Sequence, residues 1–248
     1  MAHMSEAGGS LRTQSEDTAR TSRKFDLATT TLREVNHYLH RQMVTDGVRS
    51  VTILNPDGAH SLACGMNAPA EIEINGHVGY YVAGMNKHAN VTVNGNAGPG
   101  AAENMMSGLV RVRGFASTSA AASARGGCMV VEGDASLRCG ISLKGADIVV
   151  GGDVGSFSGF MAQAGRMVIC GDAGDALGDS LYEAVIYVRG KVKSLGADAQ
   201  YETMTDTDRE TVARLLGIAG FKHDPAEFRR IASARKLYHW NAEADQEY

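Results

Sequence analysis

Three aspartates, Asp134, Asp153 and Asp172, stand 19 residues apart. A ladder of like charges at that spacing either gathers a cation or a basic partner, or simply forms a solvated face. His37 and His40 lie three residues apart, a spacing that lets two imidazoles share a metal on a helix, but no carboxylate or cysteine is placed to complete the set. They read as surface polar groups. The four cysteines, Cys64, Cys128, Cys139 and Cys170, form no C-x-x-C pair, which argues against a zinc or thioredoxin-type site and fits small buried apolar residues in a reducing cytoplasm. Gly152-x-x-Gly155-x-x-x-Gly159 lacks the G-x-G-x-x-G spacing of a nucleotide loop, and no long helix follows to offer its amino end to a phosphate. Lys87, Arg125 and Lys144 make a short basic stripe, broken by Met106 and Gln163. Near the carboxyl end, Phe228, Arg229, Arg230, Arg235, Lys236, Tyr238 and Trp240 join aromatic anchors to arginine, a composition enriched at protein interfaces. These seven are the candidate partner-binding residues; a helix packed on the rest of the chain is the alternative. No Ser/His/Asp or Cys/His arrangement follows from spacing, so no catalytic, cofactor-binding or metal residue is assigned.

What positions these residues is a repeat. Sliding the chain against itself by 19 positions brings Gly76, Gly95, Gly114, Gly133, Gly152, Gly171 and Gly190 into one column without a gap. Four residues before each glycine stand Ile72, Val91, Val110, Met129, Ile148, Met167 and Ile186, and two before it another Val/Ile column. Small residues fill the columns seven and thirteen places after the glycine. Nineteen residues cannot hold two helices with turns, but they hold short strands of alternating apolar residues separated by glycine corners. The expected fold is all-β: a right-handed parallel β-helix of about eight such coils, roughly 38 Å long at ~4.8 Å per strand. Residues 51–70 fit as a degenerate first coil with Asp57 in the glycine column. Glycine suits a corner because it reaches positive φ and because a Cβ there would crowd the chain above and below.

The flanks differ. Residues 1–24 begin with a tag-like Met-Ala-His-Met and hold too few apolar groups to offset ordering, so they are expected to form a flexible arm. Residues 25–50 carry a capping box, Thr31-x-x-Glu34, ahead of Leu32, Val35, Leu39 and Met43 at helical spacing, with Gly47 as terminator. The β-helix is assigned to 51–203 and a helical tail to 204–248, with helix starts at Thr207-Asp-Arg-Glu210 and Asp224-Pro225-Ala-Glu227. Both flanks are placed to cap the open ends of the coil stack.

A formal net charge of -4 gives no basic field to draw nucleic acid or an anionic membrane, and the apolar runs are too short to span a bilayer. A cytoplasmic protein is expected.

The corners Gly152, Gly155, Gly159 and Gly171, Gly174, Gly178 resemble the motif of the carboxy-terminal β-helix (GXGXG) domain of glutamate synthase, a likeness covering about residues 25–240. Stand-alone subunits share it, among them those of formylmethanofuran dehydrogenase and N-methylglutamate synthase. Leu32-Arg33-Glu34-Val35-Asn36, Asn55-Pro56-Asp57-Gly58, Phe228-Arg229-Arg230 and Ala234-Arg235-Lys236-Leu237-Tyr238 are closest to the split glutamate-synthase-like group, and within it to N-methylglutamate synthase. That resemblance implies a non-catalytic β-helix chain bridging two partners, an amidotransferase-like subunit and a synthase-like subunit carrying FMN and an iron–sulfur cluster. No cofactor is implied in this chain. Two other classes share the fold. A polysaccharide lyase would use exterior carboxylates, but the aromatic content is 6%, the coils leave no room for groove-walling insertions, and no export signal is read. A structural β-helix assembling end to end would need uncapped ends.

Overall fold

The computed structural model describes residues 22–235. Each run in which Val, Ile or Met alternates with another residue ahead of a column glycine forms a short strand, as a half-buried pleat requires. These are β2 (Ser50–Leu54), β3 (Glu71–Asn75), β4 (Asn90–Asn94), β5 (Leu109–Val112), β6 (Cys128–Val131), β7 (Lys144–Val150), β8 (Ala164–Ile169) and β9 (Val185–Val188). All pair in parallel with their sequence neighbours, and Ile72, Val91, Val110, Met129, Ile148, Met167 and Ile186 stack at a constant step of 19 residues. The chain is a parallel β-helix.

Its bore is filled by side chains. Besides the strand columns, Val82, Ala101, Ala120 and Cys139 point inward six residues after the corner, and Met105, Ala124, Leu143, Ala162 and Leu181 point inward ten after it. Volumes compensate along each coil: alanine at Ala124 and Ala162 is followed by Met129 and Met167, and leucine at Leu143 and Leu181 by Ile148 and Ile186. Such compensation keeps a close-packed interior at constant cross-section. Asn86 interrupts the column with an amide that donates to the carbonyls of Ala89 (2.8 Å) and Ser107 (2.9 Å), stitching two coils together.

The corner glycines serve close approach more than unusual backbone. Only Gly76 among the seven has positive φ, at 139°. At Gly95 a Cβ would sit 2.5 Å from the carbonyl oxygen of Gly76, and at Gly152 it would sit 2.0 Å from Asp134 Oδ1. The left-handed backbone lies elsewhere, at five, seven and nine residues past the corner: Tyr81 (61°), Ala83 (50°) and Met85 (55°) in one coil, Ser119 (61°), Ala121 (53°) and Ser123 (54°) two coils on. Their N–H groups alternate in direction. Tyr81 and Met85 donate forward to Pro99 and Glu103, at 2.9 and 2.7 Å, whereas Ala83 donates back to Leu62 at 3.0 Å. Pairing on both sides holds residues that would otherwise cost of order 1 kcal/mol each.

The amino end departs from expectation in two ways. Residues 22–24, assigned to the flexible arm, belong to strand β1 (Ser22–Asp26), which pairs in parallel with β2. The helix α1 (Leu32–Arg41) therefore lies inside the first coil instead of preceding the stack. Only Phe25 of β1 is buried, so its alternation left no sequence signal. Residues 1–21 of that arm lie outside the described residues. The Thr31–Glu34 capping box is present, but α1 stops at Gln42, ahead of Gly47. Val35, Tyr38, Leu39 and Met43 close the bore, and the Asn36 side chain pins α1 to Ser61 O (2.9 Å) and Ala63 N (3.0 Å). The second coil is also longer than assigned: Ile53 pairs with Ile74, which puts Asn55, not Asp57, opposite Gly76, with extra residues absorbed in the Asn55–Gly58 turn.

The carboxyl end is corrected further. Helix α2 (Asp206–Ala219) starts two residues before the expected box, with Thr205 as cap and Asp208 as its partner, and ends on left-handed Gly220. It does not cap the open end. It lies along the outer face of the sheet, where Val130, Val149, Val168, Tyr187, Cys128 and Cys170 form a second core with Val212, Leu215, Leu216 and Phe228. Pro225–Glu227 is a single 3₁₀ turn, and residues 229–233 are a strand, not helix: β11 (Arg229–Ser233) runs antiparallel between β9 and β10 (Ala199–Glu202). Among the described residues no helix is long and apolar enough to cross a membrane.

Candidate interaction surface

The aspartate ladder is occupied by its own backbone. Asp134 Oδ1 accepts from the N–H of Asp153 at 2.8 Å, Asp153 Oδ1 from Asp172 at 2.7 Å, and Asp172 Oδ1 from Lys191 at 2.7 Å. His77 and Asn96 occupy the same column and accept from the next coil in the same way, at 3.0 and 2.9 Å. Five corners thus tie to the next through a side chain, Phe115 interrupting the series, which accounts for the acceptor-bearing residues directly after those glycines. No group of three or more His, Cys, Asp or Glu among the described residues could hold a metal. His37 and His40 are exposed, and His40 Nε2 meets the Cys64 carbonyl at 2.7 Å.

Of the candidate partner-binding residues, Phe228 is only 3% exposed, buried under α2 in the second core. Arg229 donates to the Gly190 carbonyl and lies 5.4 Å over the Tyr201 ring. Arg230 pairs with Glu202 and with Asp208 (3.2 Å), and Arg235 with Asp198 (2.7 Å). All four are engaged within the chain. Lys236, Tyr238 and Trp240 lie outside the described residues.

Asp208 is the hub of that network. Burial alone would raise its pKa, but hydrogen bonds from Thr205 and Tyr187 outweigh it and hold the carboxyl below its ordinary value. Burial, with the Asp208 hydrogen bond, pushes the Tyr187 hydroxyl up. The buried thiols are raised as well, Cys128 and Cys139 to about 12 and Cys170 to about 11, each chiefly by burial. None is tuned toward nucleophilic work.

The surface that remains for another molecule is the outside of the left-handed segment. Tyr80, Tyr81, Met85, Met106, Leu137, Phe157, Met161 and Tyr182 are all exposed there. Eight large apolar side chains on one side of a rod exceed scattered surface hydrophobics. His60 stacks on Tyr80 at 4.5 Å, nearly coplanar, and Phe157 meets Phe160 edge-on at 6.1 Å. Sequence analysis, which weighed the inward and corner columns, did not single out this face; the recurrence of aromatic and Met at five and nine after Gly76 and Gly152 was the available signal.

No protein-family model matches the chain. It is 52% identical over 225 residues to Protein GlxC of Rhizobium meliloti (strain 1021), an alignment covering 90% of this chain and 99% of that protein.

Proposed function

This chain belongs to the family of Protein GlxC, and from that premise we propose that it is a non-catalytic β-helix subunit of a glutamate-synthase-like enzyme complex. The observation that carries this reading is the division of the molecule into a filled bore and an exposed apolar flank. A rod of constant register can hold two other chains at fixed separation, as a relay of ammonia or an amine between two active sites demands. In the most specific form of the proposal the complex is an N-methylglutamate synthase, turning glutamate and methylamine into N-methylglutamate and ammonia in the cytoplasm. The partners are then an amidotransferase-like chain and a synthase-like chain holding FMN and an iron–sulfur cluster. The described cysteines do not gather into any metal-binding group, so this chain's donor set does not fit such a cluster. A glutamate synthase or formylmethanofuran dehydrogenase subunit is the alternative within the same fold. A lyase-like role is disfavoured because the aspartate column spends an oxygen of each carboxylate on backbone N–H groups.

The test is affinity purification of the tagged chain from its natural host, with mass spectrometry and flavin absorbance as readouts. Recovery with an amidotransferase-like chain and a flavin-bearing chain is expected. Recovery of a single monodisperse chain with enzymatic activity of its own overturns the proposal.

A further inference from the structure

The apolar flank is not uniform. Tyr81 and Met85 make one exposed ridge and Phe157 and Met161 a second, at identical offsets from Gly76 and Gly152, four coils apart. Tyr80 broadens the first, its ring 6.4 Å from Tyr81, and Phe160 broadens the second. Between them the same two offsets carry Gly100 and Asn104, then Ser119 and Ser123, then Arg138 and Ser142. At ~4.8 Å per coil the ridges stand about 19 Å apart centre to centre. An α-helix with its side chains is about 10–12 Å across. The depression between the ridges therefore takes one helix lying across the rod, on a floor that is short at Gly100, Asn104, Ser119, Ser123 and Ser142 and carries one long side chain at these offsets, Arg138.

Its charge is specific too. Arg138 stands in the floor, Arg125 and Lys144 on the adjoining column, and Lys87 beside the first ridge. None of the four makes an ion pair among the described residues, whereas Arg111, Arg166, Arg189 and Arg230 all do. Glu103 is the one carboxylate in the floor among the described residues. A chain of net charge -4 thus presents a locally positive seat. A second copy is a poor occupant, because α1 and α2 are both packed against their own coils.

Resting on the reading of this chain as a complex subunit, we infer that the groove seats an amphipathic helix of a partner chain. That helix is apolar toward Tyr81, Met85, Phe157 and Met161, and carries Asp or Glu along the edge that meets Arg125 and Arg138. Methionine and aromatic walls adapt to such a face, and the charges set its direction.

The experiment uses the full chain in its natural host with the photo-crosslinker p-benzoylphenylalanine placed at Ser123 in the floor or, as control, at Glu73 on the sheet face. The expected result is a Ser123 adduct mapping to a helical peptide of another chain with apolar residues at i, i+3 and i+4 and acidic neighbours. Arg125→Glu with Arg138→Glu should lower the co-purified partner at least tenfold without moving the melting midpoint. An adduct to residues 236–248, an adduct to a second copy, or no adduct at Ser123 overturns the inference. If a mapped acidic helix belongs to a chain unrelated to glutamate synthase, the groove stands and the complex assignment falls. If amidotransferase-like and flavin-bearing chains co-purify but crosslink only at Glu73, the reverse holds.

Discussion

The Tyr187 hydroxyl donates to Asp208 Oδ1 at 2.7 Å, joining the outer face of β9 to the first turn of α2. Asp208 Oδ2 accepts from Thr205 N and Oγ1 at 2.8 and 2.6 Å, so one carboxylate serves a helix cap and a helix–sheet junction together. Asp208→Ala should cost about 2–3 kcal/mol, since it removes the Asp208 half of the capping box, leaves the Tyr187 hydroxyl without its acceptor and takes from Arg230 one of its two carboxylates. Because the folded carboxyl lies below its ordinary value of 3.8, its contribution is present above that pH and fades as pH falls through the folded value. Urea denaturation at pH 7 and pH 3 checks this: the difference between wild type and Asp208→Ala should shrink at pH 3.

The corner ladder predicts an asymmetry between two substitutions. Asp153→Asn keeps an oxygen to accept the Asp172 N–H and relieves repulsion within the column, so stability should change by less than about 0.5 kcal/mol. Asp153→Ala loses the acceptor and should cost about 1 kcal/mol. Equal effects in thermal melts would argue that the aspartates matter only for their charge.

Two glycines should respond in opposite directions. At Gly152 an added methyl meets Asp134 Oδ1 and the Gly133 backbone at 2.0 and 3.0 Å, so Gly152→Ala should destabilise by about 2 kcal/mol or more. Gly217 sits inside α2 with nothing within 4 Å of a new Cβ, and Gly217→Ala should stabilise by about 0.5–1 kcal/mol. Chemical denaturation midpoints decide both.

Thiol titration should follow burial. Cys64 is partly exposed, while Cys128, Cys139 and Cys170 are buried with thiols raised to about 11 or 12. Labelling with a disulfide reagent at pH 8 should modify Cys64 slowly in the native protein and the other three only after unfolding. Native-state labelling of Cys139, which faces the bore, would mean that the interior opens readily.

Repetition made the coils readable, because inward Val, Ile and Met recur against glycine at one fixed step wherever the bore must be filled. Elements present once were harder. β1 exposes Ser22, Arg23 and Lys24 and buries only Phe25, so nothing in its pattern separates it from a polar arm. β11 buries Ile231 and Ala232 in tertiary contacts that its own sequence does not announce. The lateral seat of α2 was written in a column nonetheless: three residues before the glycine, Glu73, Thr92 and Arg111 give way to Val130, Val149, Val168 and Tyr187. That change from polar to apolar halfway along the rod marks where a helix must cover the sheet. Arg111 stands at the changeover and donates to the Ile218 and Ala219 carbonyls at 2.9 Å, satisfying the carboxyl end of α2.

The reversal of direction at β11 has a consequence for the molecule's length. Modules that stack by identical pairing offer each new unit the same edge, and nothing in their geometry says when to stop. Here β9 hands its free edge to a strand running the other way, so a further 19-residue coil finds no open edge on β9 to pair with. The count of coils is thereby fixed from outside the repeat, and evolution can lengthen the rod only from within, by copying an internal unit whole.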